Sequence, residues 1–555
     1  MKLRTLIVLF VCLPALWPVG STASEAPDPA EIQMGERLFL ETRFAQFFFA
    51  NGTGGDPALD TTETTAAPLP GPFAGESMNC RACHLVDEHL EATEGGMRSY
   101  GDFARRSPIP AREDGKTHTV RNSPPLVNAS LPRFGGALFH FDGEFPTMPD
   151  LVKGTLTGRN YGWLPTEYDQ AVSHIAEIIR NDDGSGDLAQ EFGGPYRIVL
   201  AGTDPSLPEA LRLPPEFRID TETASDRQIL DAVAKLIAAY VEDLTFEQDP
   251  TGQFVASPYD LFLAKNGLPR GPAEGESPQK YSRRLARHLA FLRKPIFVSP
   301  DEGEFAFHDQ PFVFGEQELK GMRIFFREAD PMGINFPPAI PGATGNCVAC
   351  HTAPAFTDFG FHNTGATQRE YDEHHGPGAF AQLKLPSLLV RNLQADMYLP
   401  ANAANPDSAE IFLRVPDANR PGETDLGVWN MFANPTIPRP QVKLWTTLCR
   451  QSLREAIKMR ESSPARPCSP STLLNRSVAA FKTPGLRDLG HSAPYLHTGQ
   501  FDSLEDVIEF YIDSAKLART GDLVNAPAEL ADVDLAAENI PALTAFLRAL
   551  NEDYE

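Results

Sequence analysis

Apolar residues recur at helical spacing in four stretches of this 555-residue chain, and these stretches set the expected framework. Glu31 to Phe39 (EIQMGERLF) predicts an amphipathic helix with Ile32, Met34 or Gly35, Leu38 and Phe39 turned inward. Ser225 opens a capping box with Gln228, and Ile229, Val233, Leu236, Ile237 and Tyr240 follow on one helical face. A similar pair returns later. Glu316 to Phe326 (EQELKGMRIFF) places Leu319, Met322, Ile324 and Phe326 mostly inward, after which Gly333 to Gly345 reads as a loop. Ile540, Leu543, Phe546, Leu547 and Leu550 form a closing helix before the frayed acidic end Asn551 to Glu555. Strand-like alternation is short and rare, so the chain reads as mainly α. The two halves look like a diverged duplication, with a boundary near 250–268 and domains at 24–265 and 266–555. Stretches of about 163–224, 269–313 and 366–475 read as long irregular insertions without an interpretable motif.

Composition narrows the function classes. With 42% hydrophobic and 9% aromatic residues the chain has material for two or three packed cores, which excludes wholesale disorder. Lys and Arg number 49 against 74 Asp and Glu, a formal charge of -25, so phosphate backbones are repelled and nucleic acid is not an expected partner. Such a surface keeps a protein soluble and also attracts a basic protein or a cationic donor. At the start, Lys2 and Arg4 precede the apolar run Leu6 to Trp17, and Ser21 and Ala23 are small. Cleavage after Ala23 is expected, giving a signal peptide over 1–23 and a periplasmic product. No later run reaches the ~18 apolar residues that span a bilayer. Cys12 follows Val11, which is not the small residue a lipoprotein signal needs.

Six cysteines remain of seven once Cys12 leaves. Four form two C-x-x-C-H units, Cys80-Arg81-Ala82-Cys83-His84 and Cys347-Val348-Ala349-Cys350-His351. In this spacing two thiols one turn apart add to the haem vinyl groups, and the following imidazole reaches the iron. His84 and His351 are the expected proximal ligands of two covalent c-type haems. A structural zinc site built from the four thiols would not require a His after each pair, and a thioredoxin-like dithiol would follow a strand-rich pattern. Cys449 and Cys468 enclose a short Pro- and Ser-containing stretch, and an oxidising compartment favours a disulfide between them.

The chain resembles the di-haem cytochrome c peroxidase and MauG family over both haem domains. The resemblance rests on the paired haem motifs, on Arg121-Asn122-Ser123-Pro124-Pro125-Leu126-Val127-Asn128, on Phe141-Asp142-Gly143 and on Ser257-Pro258-Tyr259-Asp260. Its most specific part runs Phe481-Lys482-Thr483-Pro484-Gly485-Leu486-Arg487-Asp488, then Ala493-Pro494-Tyr495-Leu496-His497-Thr498-Gly499, then Ser503-Leu504-Glu505-Asp506. It implies two cytochrome c-like domains, a peroxidatic iron on His84 and an electron-transfer iron on His351. The family's second ligand on that iron is a Met or, in MauG-like members, a Tyr. A gap-free count from Phe481 lands on Tyr511, which also shares a helical face with Leu504, Val507 and Ile508 and so reads equally as a core residue. The resemblance further implies a calcium ion held by Asn122 and the carbonyls of Ser492 and Pro494; Asn122 alone reads also as a turn residue.

Two departures weigh on activity. Family peroxidases carry a Trp before Asp-Gly where this chain has Phe141, and a distal Glu where Thr157-Gly158-Arg159-Asn160-Tyr161-Gly162-Trp163 has no carboxylate. Peroxide cleavage needs a proton moved between two oxygens, so Tyr161 or Trp163 either substitutes in that role or is a plain loop aromatic. His118 has the character of a switchable ligand of the first iron at shortened spacing, and His497 belongs to the family turn. His89, His140, His174, His362, His374, His375 and His491 read as surface or satisfied residues. Two functions follow. One is a peroxide-using enzyme that oxidises a small redox protein (cytochrome c or a cupredoxin) or a protein or organic substrate; the other is a di-haem electron carrier.

Overall fold

The computed structural model describes residues 28–51, 79–80, 83–85, 98–99, 106–107, 109–133, 135–306, 308–329, 337–458 and 467–553. The expected signal peptide and His89 lie outside them. Among the described residues the fold is mainly α, and its strands are three antiparallel pairs of two residues each. None of the described helices is long and apolar enough to cross a membrane.

Helix Ala30–Phe39 buries Ile32, Met34, Leu38 and Phe39, the face its periodicity specifies. It crosses helix Asp226–Asp243, whose start is fixed by a capping box: the Ser225 N–H donates to Gln228 Oε1 at 2.9 Å, and Ser225 Oγ accepts from the Gln228 N–H. The two helices meet at Gly35, where an added Cβ would collide with the Leu236 carbonyl oxygen. One turn on, Phe39 packs edge-on against Tyr240 at 5.2 Å. The second half repeats this device. Helix Glu316–Phe325 crosses helix Ile540–Arg548 at Gly321, where a Cβ would run into the Ala542 carbonyl, and Phe325 packs against Phe546 at 5.2 Å. Gly-Glu-Arg-Leu-Phe and Gly-Met-Arg-Ile-Phe are therefore the same local solution, with glycine at the crossing and an aromatic ring four residues later.

Each crossing centres its own core. The first gathers residues from Ile32 to Phe254, and the second begins at Tyr259 and ends at Leu550. Helix Pro258–Lys265, which precedes the boundary read from the sequence, packs Tyr259, Phe262 and Leu263 into the second core.

The stretches expected to be irregular are ordered instead. Residues 163–224 supply helix Tyr168–Asn181, which buries Val172, Ile175 and Ile179 in the first core. Residues 269–313 supply helix Pro278–Phe291, which buries Tyr281, Leu285 and Leu289 in the second. Between 366 and 475 lie helices Ala366–His375, Leu388–Leu393, Gln441–Lys458 and Pro470–Arg476, and a third core around Leu426, Trp429, Leu444, Leu448 and Leu473. Tyr168–Asn181 and Pro278–Phe291, of 14 residues each, and Gln441–Lys458, of 18, are longer than the framework helices Ala30–Phe39 and Glu316–Phe325, of 10 each, so their period is present in the sequence. Cys449 and Cys468 are disulfide-bonded with Cα atoms 4.9 Å apart, which ties the Gln441–Lys458 helix to the turn before Pro470–Arg476.

Gly321→Ala is expected to destabilise the protein by about 1–3 kcal/mol or more, because the new methyl meets backbone rather than a movable side chain. Gly271→Ala, whose Cβ would meet nothing within 4 Å, should stay within about 0.5 kcal/mol. Urea unfolding followed by circular dichroism separates the two.

Candidate functional site

The first motif is fastened to the end of the first helix, since Asn79 Nδ2 donates to the Leu40 carbonyl at 2.9 Å. Cys80 Sγ then lies 3.3 Å from the hydroxyl of Tyr161, a buried residue on the short helical turn Arg159–Tyr161. Burial pushes the Cys80 thiol up to about 11 and that of Cys83 to about 12. His84 is driven the other way, down to about 4, by burial and by the nearby His140. Its Nδ1 is buried with the Pro124 carbonyl beside it, too poorly aligned for a full hydrogen bond. His84 is therefore a neutral imidazole with a ligating lone pair.

The second motif begins in the helical turn Cys347–Ala349. His351 Nδ1 donates to the Phe356 carbonyl at 3.0 Å, which fixes the tautomer and leaves Nε2 with the lone pair, and burial holds its pKa below the ordinary range. The loop bearing that carbonyl is held by Arg487. Its Nε donates to the Pro354 carbonyl at 3.0 Å, while its other nitrogens meet Asp260 at 2.8 and 2.9 Å and Glu552 at 2.7 Å. Tyr511, on helix Leu504–Thr520, is half-buried, with Leu504 and Ile508 buried on the same face. Burial and then the charges of Cys350 and Cys347 push its hydroxyl well above the ordinary tyrosine range, so the oxygen belongs to the surroundings of this motif.

Aromatic rings fill the seam between the halves. Phe481 stacks on His497 with centroids 3.4 Å apart, and Phe141 approaches the same imidazole at 6.3 Å. The Lys482 N–H donates to the Phe141 carbonyl at 2.7 Å, while Arg121 bridges Asp142 and Asp425, each at 2.6 Å. Two half-buried cations lie nearby. Lys482, which donates to the Leu138 carbonyl at 3.3 Å, is pushed down to about 7 by burial and by Arg133, and Arg133 keeps Nε and Nη1 without hydrogen-bond partners among the described residues. Cations placed in this way can receive an anion, and haem propionates are anions of that kind. Two thiols, a neutral imidazole and waiting cations fit a c-type haem.

Asn122 and Pro494 of the expected calcium trio are brought together: the Asn122 side chain meets the Pro494 carbonyl at 2.5 Å across the seam, and the Ser123 N–H donates to Asn122 Oδ1 at 2.9 Å. Ser492 uses its hydroxyl on the Asp488 carbonyl at 3.0 Å. Trp163 is fully buried and donates to the Phe44 carbonyl at 3.1 Å, whereas His118 is exposed and paired with Thr117. His174 bonds the Arg43 carbonyl and His362 sits beside Asp358. The supporting charges Arg133, Lys482, Arg487 and Glu552 were missed in the sequence. Lys482 and Arg487 flank Pro484 in an otherwise apolar run, and that charge placement was the available signal.

Burial, only partly offset by Arg487, raises Glu552 from 4.5 to about 8. The folded state thus retains a proton that the unfolded chain releases, so this contribution is whole below about pH 4.5 and declines until about pH 8. Glu552→Gln, which keeps the shape and cannot ionise, should flatten that decline in urea midpoints measured at pH 5, 6.5 and 8.

No protein-family model matches the chain. The cytochrome-c peroxidase IdrP2 of Pseudomonas sp. (strain SCT) is 37% identical over 78 residues, 14% of this chain and 19% of that protein. IdrP1 of the same strain is 38% identical over 77 residues, again 19% of its length. IdrP2 of Denitromonas iodatirespirans is 24% identical over 207 residues, 37% of this chain and 36% of that protein. The chain thus spans about a fifth to a third of the curated relatives it matches. Among solved structures, a MauG-like protein associated with microbial copper homeostasis aligns with TM-score 0.41 and 16% identity over 97% of this chain and 95% of that one. The diheme peroxidase BthA of Burkholderia thailandensis aligns with TM-score 0.36 and 15% identity over 95% and 87%. The paired motifs and the curated relatives agree that this chain is similar to the di-haem cytochrome c peroxidase and MauG family.

Proposed function

We propose that this protein is an exported, periplasmic di-haem oxidoreductase of the cytochrome c peroxidase and MauG type that uses hydrogen peroxide. One observation carries the reading: two complete C-x-x-C-H motifs, each with a buried imidazole whose pKa lies below the ordinary range. Cys80 and Cys83 would hold one haem, Cys347 and Cys350 the other, in two domains that descend from a duplication and meet between Phe254 and Tyr259. His84 ligates the first iron; His351 and Tyr511 ligate the second. When bound, the first haem supplies peroxide reduction and the second supplies electrons.

The chain's own groups set the terms of that chemistry. The Phe356 carbonyl raises the basicity of His351 by accepting its Nδ1 proton. Tyr161 holds a hydroxyl 3.3 Å from Cys80 Sγ, which puts a proton-bearing group of that segment beside the first motif. Phe141, Phe481 and His497 pack the seam without the easily oxidised indole that family peroxidases place there. An anionic oxygen from Tyr511 stabilises ferric iron better than a thioether does, which favours a protein or organic substrate over a small cytochrome or cupredoxin. The missing carboxylate in Thr157–Trp163 favours the second reading, an electron carrier without peroxide chemistry.

His84→Ala is expected to abolish the spectral change that peroxide causes, while His351→Ala retains a response. The reverse outcome reverses the assignment, and an unreactive wild-type protein establishes the carrier. Tyr511→Phe should alter the low-spin ferric signal in electron paramagnetic resonance; an unchanged signal makes Tyr511 a core residue only.

A further inference from the structure

Away from both motifs, three residues from distant parts of the sequence converge in the second core. His308 comes from the loop after Val298, which the Val298–Phe314 pairing closes, while Asp488 and His491 lie on the turn after Arg487. Their side chains are 4%, 0% and 7% exposed. His308 Nε2 lies 2.8 Å from Asp488 Oδ1, and His491 Nδ1 lies 2.9 Å from Asp488 Oδ2. The three ligand atoms fall within 4.8 Å of one another. The two imidazoles lie face to face with centroids 3.9 Å apart, and Phe305 packs edge-on against His308 at 4.9 Å. Gly490 makes the approach possible, since a Cβ there would stand 2.6 Å from His308 Nδ1.

One contact argues for more than a hydrogen-bonded cluster. Asp488 Oδ1 is buried and has no hydrogen-bond partner among the described residues, although His308 Nε2 is only 2.8 Å away. Nε2 directs its bond instead at the Glu552 carbonyl, 3.4 Å distant. Ligand atoms with bonds of about 2.1 Å stand about 3.4 Å apart on a tetrahedral ion and about 3.0 Å apart on an octahedral one, so a small outward shift of His308 admits an ion between these atoms. Leaving a buried carboxylate oxygen unmet costs about 1–3 kcal/mol, and a cation removes that cost.

We infer that His308, Asp488 and His491 bind a divalent transition-metal ion, with the Glu552 main-chain oxygen in reach as a fourth ligand. Two imidazoles and a carboxylate suit zinc and its first-row neighbours. The site is closed to solvent, so the ion acts as a structural clip. It pins the segment 269–313 to the turn that carries Arg487, and through Arg487 to the loop behind His351.

The test titrates zinc into the haem-loaded protein after chelator treatment, with total metal counted by mass spectrometry and affinity read against a chromogenic chelator. Wild type should bind one zinc that His308→Ala and His491→Ala each weaken at least tenfold, and zinc should raise the melting temperature of wild type alone. Asp488→Asn, of the same size, serves if an alanine variant does not fold. The doubly substituted His374→Ala/His375→Ala protein should bind zinc as wild type does. Unchanged zinc affinity in all three site variants, or no zinc uptake by wild type, overturns the inference.

Discussion

Backbone-to-backbone approach at two glycines fixes where the rest of this structure lies. Gly35 and Gly321 let one helix lie against the carbonyls of another, and no residue with a side chain fits either crossing. The haem motifs are tied to the ends of these helices. Asn79 reaches the Leu40 carbonyl, and the Gly345 and Asn346 N–H groups donate to Ile324 and Arg327 at 3.0 and 2.9 Å. Two short tethers to two rigid crossings thus set both cysteine pairs, and a shift in either helix would carry its motif with it.

Electrostatics follow from that burial. His84, His351 and His497 all lie below the ordinary histidine range because each is enclosed before any charge can be compensated. His84 and His351 follow the two cysteine pairs, whereas His497 is stacked on Phe481 at the seam. The cations behave differently. Arg121 and Arg487 each take two carboxylates, whereas Arg133 and Lys482 are left under-compensated near the seam. A charge in that condition is completed by an anion or loses its proton, and burial pushes Lys482 down to about 7.

The longer segments serve the same ends. His174, from residues 163–224, bonds the Arg43 carbonyl at 2.8 Å, and Asp425, from 366–475, completes the charge pair of Arg121. His308 arrives from 269–313 to meet Asp488. Each segment thus delivers at least one polar group to a site built by residues far away in the chain.

The sequence alone determined the mainly α class, the four framework helices with their inward faces, and the two haem motifs, because each is a local pattern: a 3.6-residue period, a capping box, a five-residue spacing. It also pointed to Tyr511 by count and to the Cys449–Cys468 pair by elimination. Tertiary structure decided what depends on long-range contact. The helices within 163–224, 269–313 and 366–475 join cores whose members lie far apart in the sequence, and which core each one joins is a matter of long-range contact. Only the fold sets the Asn122 side chain beside the Pro494 carbonyl in the other half of the chain. His491 pairs locally with Asp488, three residues earlier, but only folding brings His308 from the segment 269–313 to the same carboxylate, because no local pattern encodes a meeting of that span.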